Sequence, residues 1–250
     1  MRNKICLITG GSGFLGIEFC NFFSSIDFQV VCVDIKKPNF KKLKKNISFY
    51  QCDISNEQEV IKLYNKFKKK NIQVLINNAA IDAVPKIKKK TNMKYPSIDV
   101  WWKEINVGLI GSFLMIKYFG EQMFKNKKGS VINIGSDLSI IAPNQKIYKS
   151  SYVNYKKPPT YSVIKHGLLG LTKYYASLYA EKNVRVNMVS PGPVKNKQNN
   201  LLLKEIKKIT PMNRLNDPKD LFGILEFLSG NYSQFITGQN IVIDGGKTLI

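Results

Sequence analysis

The chain has 250 residues, 44% of them hydrophobic and 22% charged, a balance that excludes a disordered chain and allows one large buried core. No apolar run approaches the roughly 18 to 20 residues of a membrane span, so no membrane partner is expected. The net charge of +22 raises nucleic acid as a partner, but the excess is nearly all lysine, spread over stretches such as "KKPNFKKLKKN" (36–46) and "KIKKKTNMK" (86–94). That scatter argues against nucleic acid, and for attraction of anionic small molecules.

The first apolar run, "KICLITG" (4–10), reads as a buried strand entering a turn and not as a signal peptide. "LITGGSGFLG" follows, in which Gly10, Gly13 and Gly16 form a G-x-x-G-x-x-G series that opens an apolar helix from Phe14 to Phe23. Glycines between a strand and a helix permit a tight turn and let the backbone approach a pyrophosphate at the positive helix N-terminus. The second strand, "FQVVCVD" (28–34), ends in Asp34, 18 residues after Gly16. A carboxylate there accepts hydrogen bonds from an adenosine ribose and repels a 2′-phosphate, which favours NAD, although Lys36 and Lys37 follow at once and keep NADP open. The third strand, "ISFYQCD" (47–53), ends in Asp53. Cys6, Cys20, Cys32 and Cys52 form no Cys-x-x-Cys pair, so a reducing cytoplasm is expected, with no disulfide and no metal.

A helical pattern from Glu57 to Phe67 leads to the fourth strand, "IQVLINNA" (72–79), and another from Val100 to Phe124 leads to the fifth, "GSVINIGS" (129–136). Residues 137–160 are irregular, rich in turn formers, and carry two adjacent prolines. A helix from Ser162 to Ala180, the strand "VRVNMVSPG" (184–192), a helix from Leu221 to Leu228 and the strand "NIVIDGG" (240–246) complete the chain. The strands are apolar throughout rather than alternating, as in parallel sheets buried on both faces. Strand–helix alternation predicts an α/β Rossmann fold: one doubly wound parallel sheet of about seven strands with helices on both faces, a single domain over residues 1–250.

"TYSVIKHG" (160–167) pairs Tyr161 with Lys165, four residues apart on one helix face. Tyr64/Lys68 and Tyr152/Lys156 have the same spacing, and in so lysine-rich a chain about two such pairs arise by chance. Tyr64 lies in a surface-like lysine-rich helix; Lys156 precedes Lys157-Pro158-Pro159, which disfavours one helix through Tyr152 and Lys156. Tyr161/Lys165 instead begins a long apolar-periodic helix, with Thr160 as its candidate cap. A fixed ammonium near a phenol favours the phenolate; lowering a tyrosine by about three units takes about 4 kcal/mol of differential stabilisation. His166, the lone histidine, points about 100° away around the helix and reads as structural or adjacent to substrate.

Taken in order, the glycine loop, Asp53, "NNAA" (77–80), Asn106 in "INVGLIGSF", Ser136 in "INIGSD", Tyr161-x-x-x-Lys165 and "SPGPV" (190–194) resemble the short-chain dehydrogenase/reductase family over almost the whole chain. The resemblance implies that Tyr161 is the general acid/base and that Lys165 binds the nicotinamide ribose and lowers the tyrosine pKa. It implies that Ser136 holds the substrate oxygen and Asn106 orders a water in a proton relay. Implied cofactor contacts are Gly10, Ser12, Gly13, Phe14, Leu15, Gly16, Asp34, Asp53, Ile54, Asn77, Asn78, Ala79, Tyr161, Lys165, Pro191, Gly192 and Val194. A homodimer or homotetramer is also implied.

Three features depart from the family pattern. The glycine spacing is more usual in its longer, nucleotide-sugar branch; Asn196 stands where many relatives carry a threonine near the nicotinamide amide; and 25 residues separate Ser136 from Tyr161, where relatives often have about a dozen. The last feature is similar to members acting on sugars in surface-glycan and nonulosonate (flagellin-glycan) pathways. The expected activity is an NAD(P)-dependent interconversion of secondary alcohol and ketone on a small polar or anionic sugar. The alternatives are a 3-oxoacyl thioester reductase and a cofactor-binding regulator without catalysis. An active-site insertion at 142–160 is expected to meet the substrate, through Lys146, Lys149, Lys156 and Lys157 and the faces of Tyr148, Tyr152 and Tyr155.

Overall fold

A computed structural model describes residues 4–44, 46–81, 96–151, 156–196 and 198–250. Seven strands form one sheet in the order β3-β2-β1-β4-β5-β6-β7, every neighbouring pair parallel. They are β1 (Lys4–Thr9), β2 (Phe28–Asp34), β3 (Ile47–Gln51), β4 (Ile72–Asn77), β5 (Gly129–Ile134), β6 (Val184–Pro191) and β7 (Asn240–Ile243). The helices are α1 (Phe14–Ser25), α2 (Glu57–Phe67), α3 (Ile98–Ile105), α4 (Gly111–Met115), α5 (Glu121–Lys125), α6 (Gln145–Ser151), α7 (Pro159–Tyr179), α8 (Asn200–Lys208) and α9 (Phe222–Ser229). From α3 to α5 the chain is continuously helical, with wider π turns at Asn106–Ile110 and Ile116–Gly120.

Unbroken apolar strands follow from helices on both faces. In β1, Ile5 and Leu7 join a core with Phe67 of α2, Met115 of α4, Met123 of α5 and Tyr179 of α7. Cys6 and Ile8 join the opposite core, with Phe19 and Phe23 of α1 and Leu225 and Leu228 of α9. The edge strands differ from the expectation: β3 and β7 are only half-buried, because each has one neighbour, and both end earlier than the apolar runs suggest. Two helices escaped the sequence reading. α8 starts at an Asn199 cap that accepts from the Leu202 N–H at 2.8 Å, and α6 lies inside the turn-rich segment. Ile147 of α6 packs with Leu202 and Ile206 of α8 and with Leu215 in a small third core.

The chain reverses direction across the sheet between β1 and β4, which leaves a crevice at the carboxyl ends of the strands, the usual ligand position in open α/β sheets. Among the described residues no helix is long and apolar enough to cross a membrane, and no cluster of His, Cys, Asp and Glu could hold a metal. Cys6, Cys20, Cys32 and Cys52 are buried free thiols.

Candidate active site

A cavity of about 790 Å³ occupies that crevice. At its phosphate end the chain leaves β1 through Gly10, whose φ of +62° strains any other residue. A Cβ there would also sit 2.7 Å from the Ala79 Cα. The Gly13 N–H closes the turn on the Gly10 carbonyl at 3.1 Å, and α1 begins at once. Gly16 faces back onto the turn: a Cβ would lie 2.0 Å from the Gly10 oxygen, so only glycine lets the helix start this close to the strand. Gly16 and Ser12 are not among the residues lining the cavity; Gly10, Gly13, Phe14 and Leu15 are. Asn78 braces the loop, its amide donating to the carbonyls of Thr9 at 3.1 Å and Gly10 at 3.2 Å.

Asp34, at the end of β2, lines the same cavity. Its carboxylate is held by the Ser12 N–H on Oδ2 and the Lys36 N–H on Oδ1, both at 3.0 Å. Ser12 thus acts on Asp34 rather than on the cavity. Lys36 and Lys37 are not in the lining. Asp53, Ile54, Asn78 and Ala79 are, as are Pro191, Gly192 and Val194. Asn77 is a correction: it is buried, and its amide donates to Asn133 Oδ1 at 2.9 Å. Asn133 donates on to Thr172 Oγ1 at 2.8 Å, so Asn77 anchors α7 to the sheet instead of meeting a ligand. The Pro-Gly loop is steadied by Asn216, whose N–H donates to the Pro193 carbonyl at 3.0 Å, a partner that nothing in the sequence pattern marks.

Ser136, Tyr161, Lys165 and Asn106 all line the other half of the cavity. Ser136 leaves β5 and caps a short turn over Asp137–Ser139, accepting from the Leu138 N–H at 3.2 Å and donating to Asp137 Oδ1 at 2.8 Å. Lys247 donates to the other oxygen of Asp137, and both residues are buried. Lys165 is 6% exposed, and its Nζ donates to the Ile134 carbonyl at 2.8 Å. That Nζ stands 5.7 Å from the centre of the Tyr161 ring, and Lys157 Nζ stands 3.8 Å from it. Asn106 opens the first π turn, its carbonyl accepting from the Gly111 N–H five residues on. One extra residue in a helical turn is a common feature of functional sites.

α7 starts at Pro159, two residues before Tyr161, not at a Thr160 cap. Thr160 is fully buried inside the first turn, and its hydroxyl donates to the buried carboxylate of Glu104 on α3. His166 is exposed, its Nδ1 2.9 Å from the Ser162 carbonyl, and is not among the residues that line this cavity. Tyr152 lies outside the described residues, as does Tyr155. Of the remaining insertion residues, Tyr148 and Lys157 line the cavity, while Lys146 and Lys156 are exposed away from it. Lys103, Asn196, Gln198, Leu202 and Ile206 are lining residues that the sequence reading did not place in a site, save Asn196.

The comparisons agree with this architecture. Residues 15–248 match the family described as enoyl-(acyl carrier protein) reductase. A 3-oxoacyl-(acyl-carrier-protein) reductase of Thermotoga maritima is 29% identical over all of this chain and 99% of its own. A short-chain dehydrogenase of Leptospira borgpetersenii, solved with bound NAD+, is 30% identical with a TM-score of 0.86, covering 99% of this chain and 94% of that one. A 4-hydroxyisoleucine dehydrogenase solved with NADH is 28% identical with a TM-score of 0.82, covering 99% and 100%. The chain belongs to the short-chain dehydrogenase/reductase family. It is an NAD(P)-dependent oxidoreductase of that family.

Proposed function

We propose that this enzyme interconverts a secondary alcohol and a ketone with NAD, on a small, polar, anionic sugar derivative such as those of surface-glycan biosynthesis. The observation that carries the reading is that Ser136, Tyr161, Lys165 and Asn106 line one half of a single cavity while Asp34 lines the other. The cavity suits a dinucleotide. Its glycine turn leaves no room for a Cβ at Gly10, and its far end presents a fixed carboxylate without the Lys36 or Lys37 that a 2′-phosphate would need. Gly10, Gly13, Phe14 and Leu15 would hold the pyrophosphate, Asp34 the adenosine ribose, Asp53 and Ile54 the adenine, and Pro191, Gly192 and Val194 the nicotinamide. When bound, the nicotinamide supplies a hydride acceptor or donor.

The protein's part is proton transfer and orientation. Tyr161 takes the proton of the substrate hydroxyl in oxidation and returns it in reduction. The ammonium groups of Lys165 and Lys157 near its ring favour the phenolate that accepts this proton. Lys165, whose Nζ lines the cavity wall by its bond to the Ile134 carbonyl, would also hold a ribose hydroxyl of the cofactor. Ser136 gives its own proton to Asp137 and so presents lone pairs to the substrate hydroxyl. Asn106, exposed at the π turn, would order the water that relays protons outward. Assembly into a homodimer or homotetramer belongs to the same proposal and is read by sedimentation.

A screen of sugars, sugar phosphates, aldonates and nucleotide sugars followed by NADH absorbance tests the reading, with turnover on a polar anionic member expected. Reduction of a 3-oxoacyl thioester is the second reading, favoured by the similarity to the Thermotoga maritima reductase. Turnover of an acetoacetyl thioester, with none of the sugars active, would select it.

A further inference from the structure

We infer that Ser136 accepts a second hydroxyl of the substrate, so that the substrate is a vicinal diol with its reacting hydroxyl on Tyr161 and the neighbouring one on Ser136. This deepens the reading above and rests on it, since Tyr161 must take the proton of the reacting hydroxyl. A serine Oγ has one proton to give and two lone pairs. The Ser136 proton goes to Asp137 Oδ1 at 2.8 Å, and one lone pair takes the Leu138 N–H at 3.2 Å. To the cavity it lines, Ser136 therefore offers one lone pair and no donor. The reacting hydroxyl cannot use that lone pair, because its single proton is the one that passes to Tyr161. A ketone oxygen has no proton to give. A second hydroxyl can use it before and after the reaction, and the adjacent carbon is the nearest place to carry one.

Ser136 is held in this role. Lys247 donates to the other oxygen of the Asp137 carboxylate, and the Leu138 N–H also reaches Oδ1, at 2.9 Å. The Lys247 and Asp137 side chains are only 8% and 4% exposed, so little water competes for the serine proton. A hydrogen bond to a charged acceptor is about twice as strong as one between neutral groups, so a neutral substrate oxygen does not draw that proton away. The backbone is fixed as well. The Ser139 N–H donates to the Ser136 carbonyl at 2.9 Å, and Ser139 Oγ lies 2.9 Å from Ser190 Oγ of β6. The same feature separates the two activities above. A 3-hydroxyacyl thioester has no hydroxyl on either side of its reacting carbon and leaves the Ser136 lone pair unmet, whereas a sugar or polyol meets it.

The test uses pairs that differ by one hydroxyl: 2,3-butanediol against 2-butanol, and a 2,3-dihydroxybutyryl thioester against the 3-hydroxybutyryl thioester. Each is titrated into the enzyme–NADH complex and read by NADH fluorescence and calorimetry. The wild type should hold the diol of at least one pair about fivefold or more tighter, the scale of one net hydrogen bond. Asp137→Asn with Lys247→Met removes both charges but leaves an amide oxygen for Ser136 and Leu138, and should keep most of the preference. Asp137→Leu with Lys247→Met frees the Ser136 hydroxyl to donate, and should erase it. The two double variants differ only in that acceptor, so a merely structural role of the ion pair would change both alike. Equal affinity within both pairs in the wild type, or a preference kept or lost equally in the two double variants, would overturn the inference. A diol preference that behaves as expected in an enzyme that oxidises no alcohol would keep this acceptor and sink the dehydrogenase reading instead.

Discussion

Lys247 donates its ammonium to the carboxylate of Asp137, and the other oxygen of that carboxylate accepts the Ser136 hydroxyl. The pair is buried, with side chains 8% and 4% exposed. The last turn of the chain therefore fixes the residue beside the substrate-holding serine. A Gly245-Gly246 turn with positive φ at both positions and the Asp244 carboxylate, which accepts from the N–H groups of Gly246 and Thr248, aim Lys247 inward.

Lys247→Met should destabilise the protein by about 3–5 kcal/mol, because it leaves a buried carboxylate uncompensated. Asp137→Leu combined with Lys247→Met should recover most of that stability while turnover stays low, since Ser136 loses its acceptor. Denaturant unfolding beside steady-state kinetics separates the two effects.

Gly16→Ala tests the packing of the phosphate loop. Within a helix, alanine normally stabilises by about 0.5–1 kcal/mol over glycine. Here the added Cβ would lie 2.0 Å from the Gly10 oxygen and 2.6 Å from the Gly11 Cα. The variant should lose stability and bind NADH about tenfold or more weakly, by fluorescence titration, as the loop is pushed from its place.

Asp34 should make NAD the better cofactor. The wild type should show kcat/KM at least about tenfold higher with NAD than with NADP, and Asp34→Ser should narrow the ratio by relieving repulsion of the 2′-phosphate. A wild-type preference for NADP would point to Lys36 or Lys37 as phosphate ligands.

Alkaline pH should destabilise the fold. Burial, with the Glu59 and Asp53 charges nearby, pushes the Cys52 thiol up to about 12. Burial also raises Cys6 above 9.0, and burial with neighbouring Tyr175 raises Tyr179 above 10.0. These groups keep their protons when folded and lose them sooner when unfolded. Between about pH 9 and 12 the folded state therefore binds more protons, and stability falls as pH rises. Urea midpoints at pH 8, 9 and 10 should decrease in that order.

Much of this molecule is legible in its sequence because local chemistry and fold agree. Two-sided burial writes itself as unbroken apolar strands, and Gly10 through Gly16 carry a turn that tolerates nothing else. What was missed depends on contacts distant in the chain. Thr160 looks like a cap, yet the buried Glu104 of α3 takes its hydroxyl. Asn77 looks like a ligand, yet it faces Asn133 while its neighbour Asn78 faces the loop. Asp137 and Lys247 stand 110 positions apart, and no local pattern joins them. α6 is hidden because its seven residues carry weak helix signals and gain their order from Ile147 against α8.

The central claim is that Tyr161 carries the proton, and one measurement addresses it most directly: NADH-linked turnover of Tyr161→Phe on the best substrate, beside its NADH affinity. Only the phenolic oxygen is removed, so turnover should fall at least about a thousandfold, within the range for loss of a general acid/base, while NADH binds as in the wild type. Near-normal turnover in Tyr161→Phe would contradict the account, most sharply if Tyr152→Phe proved to be the inactive variant.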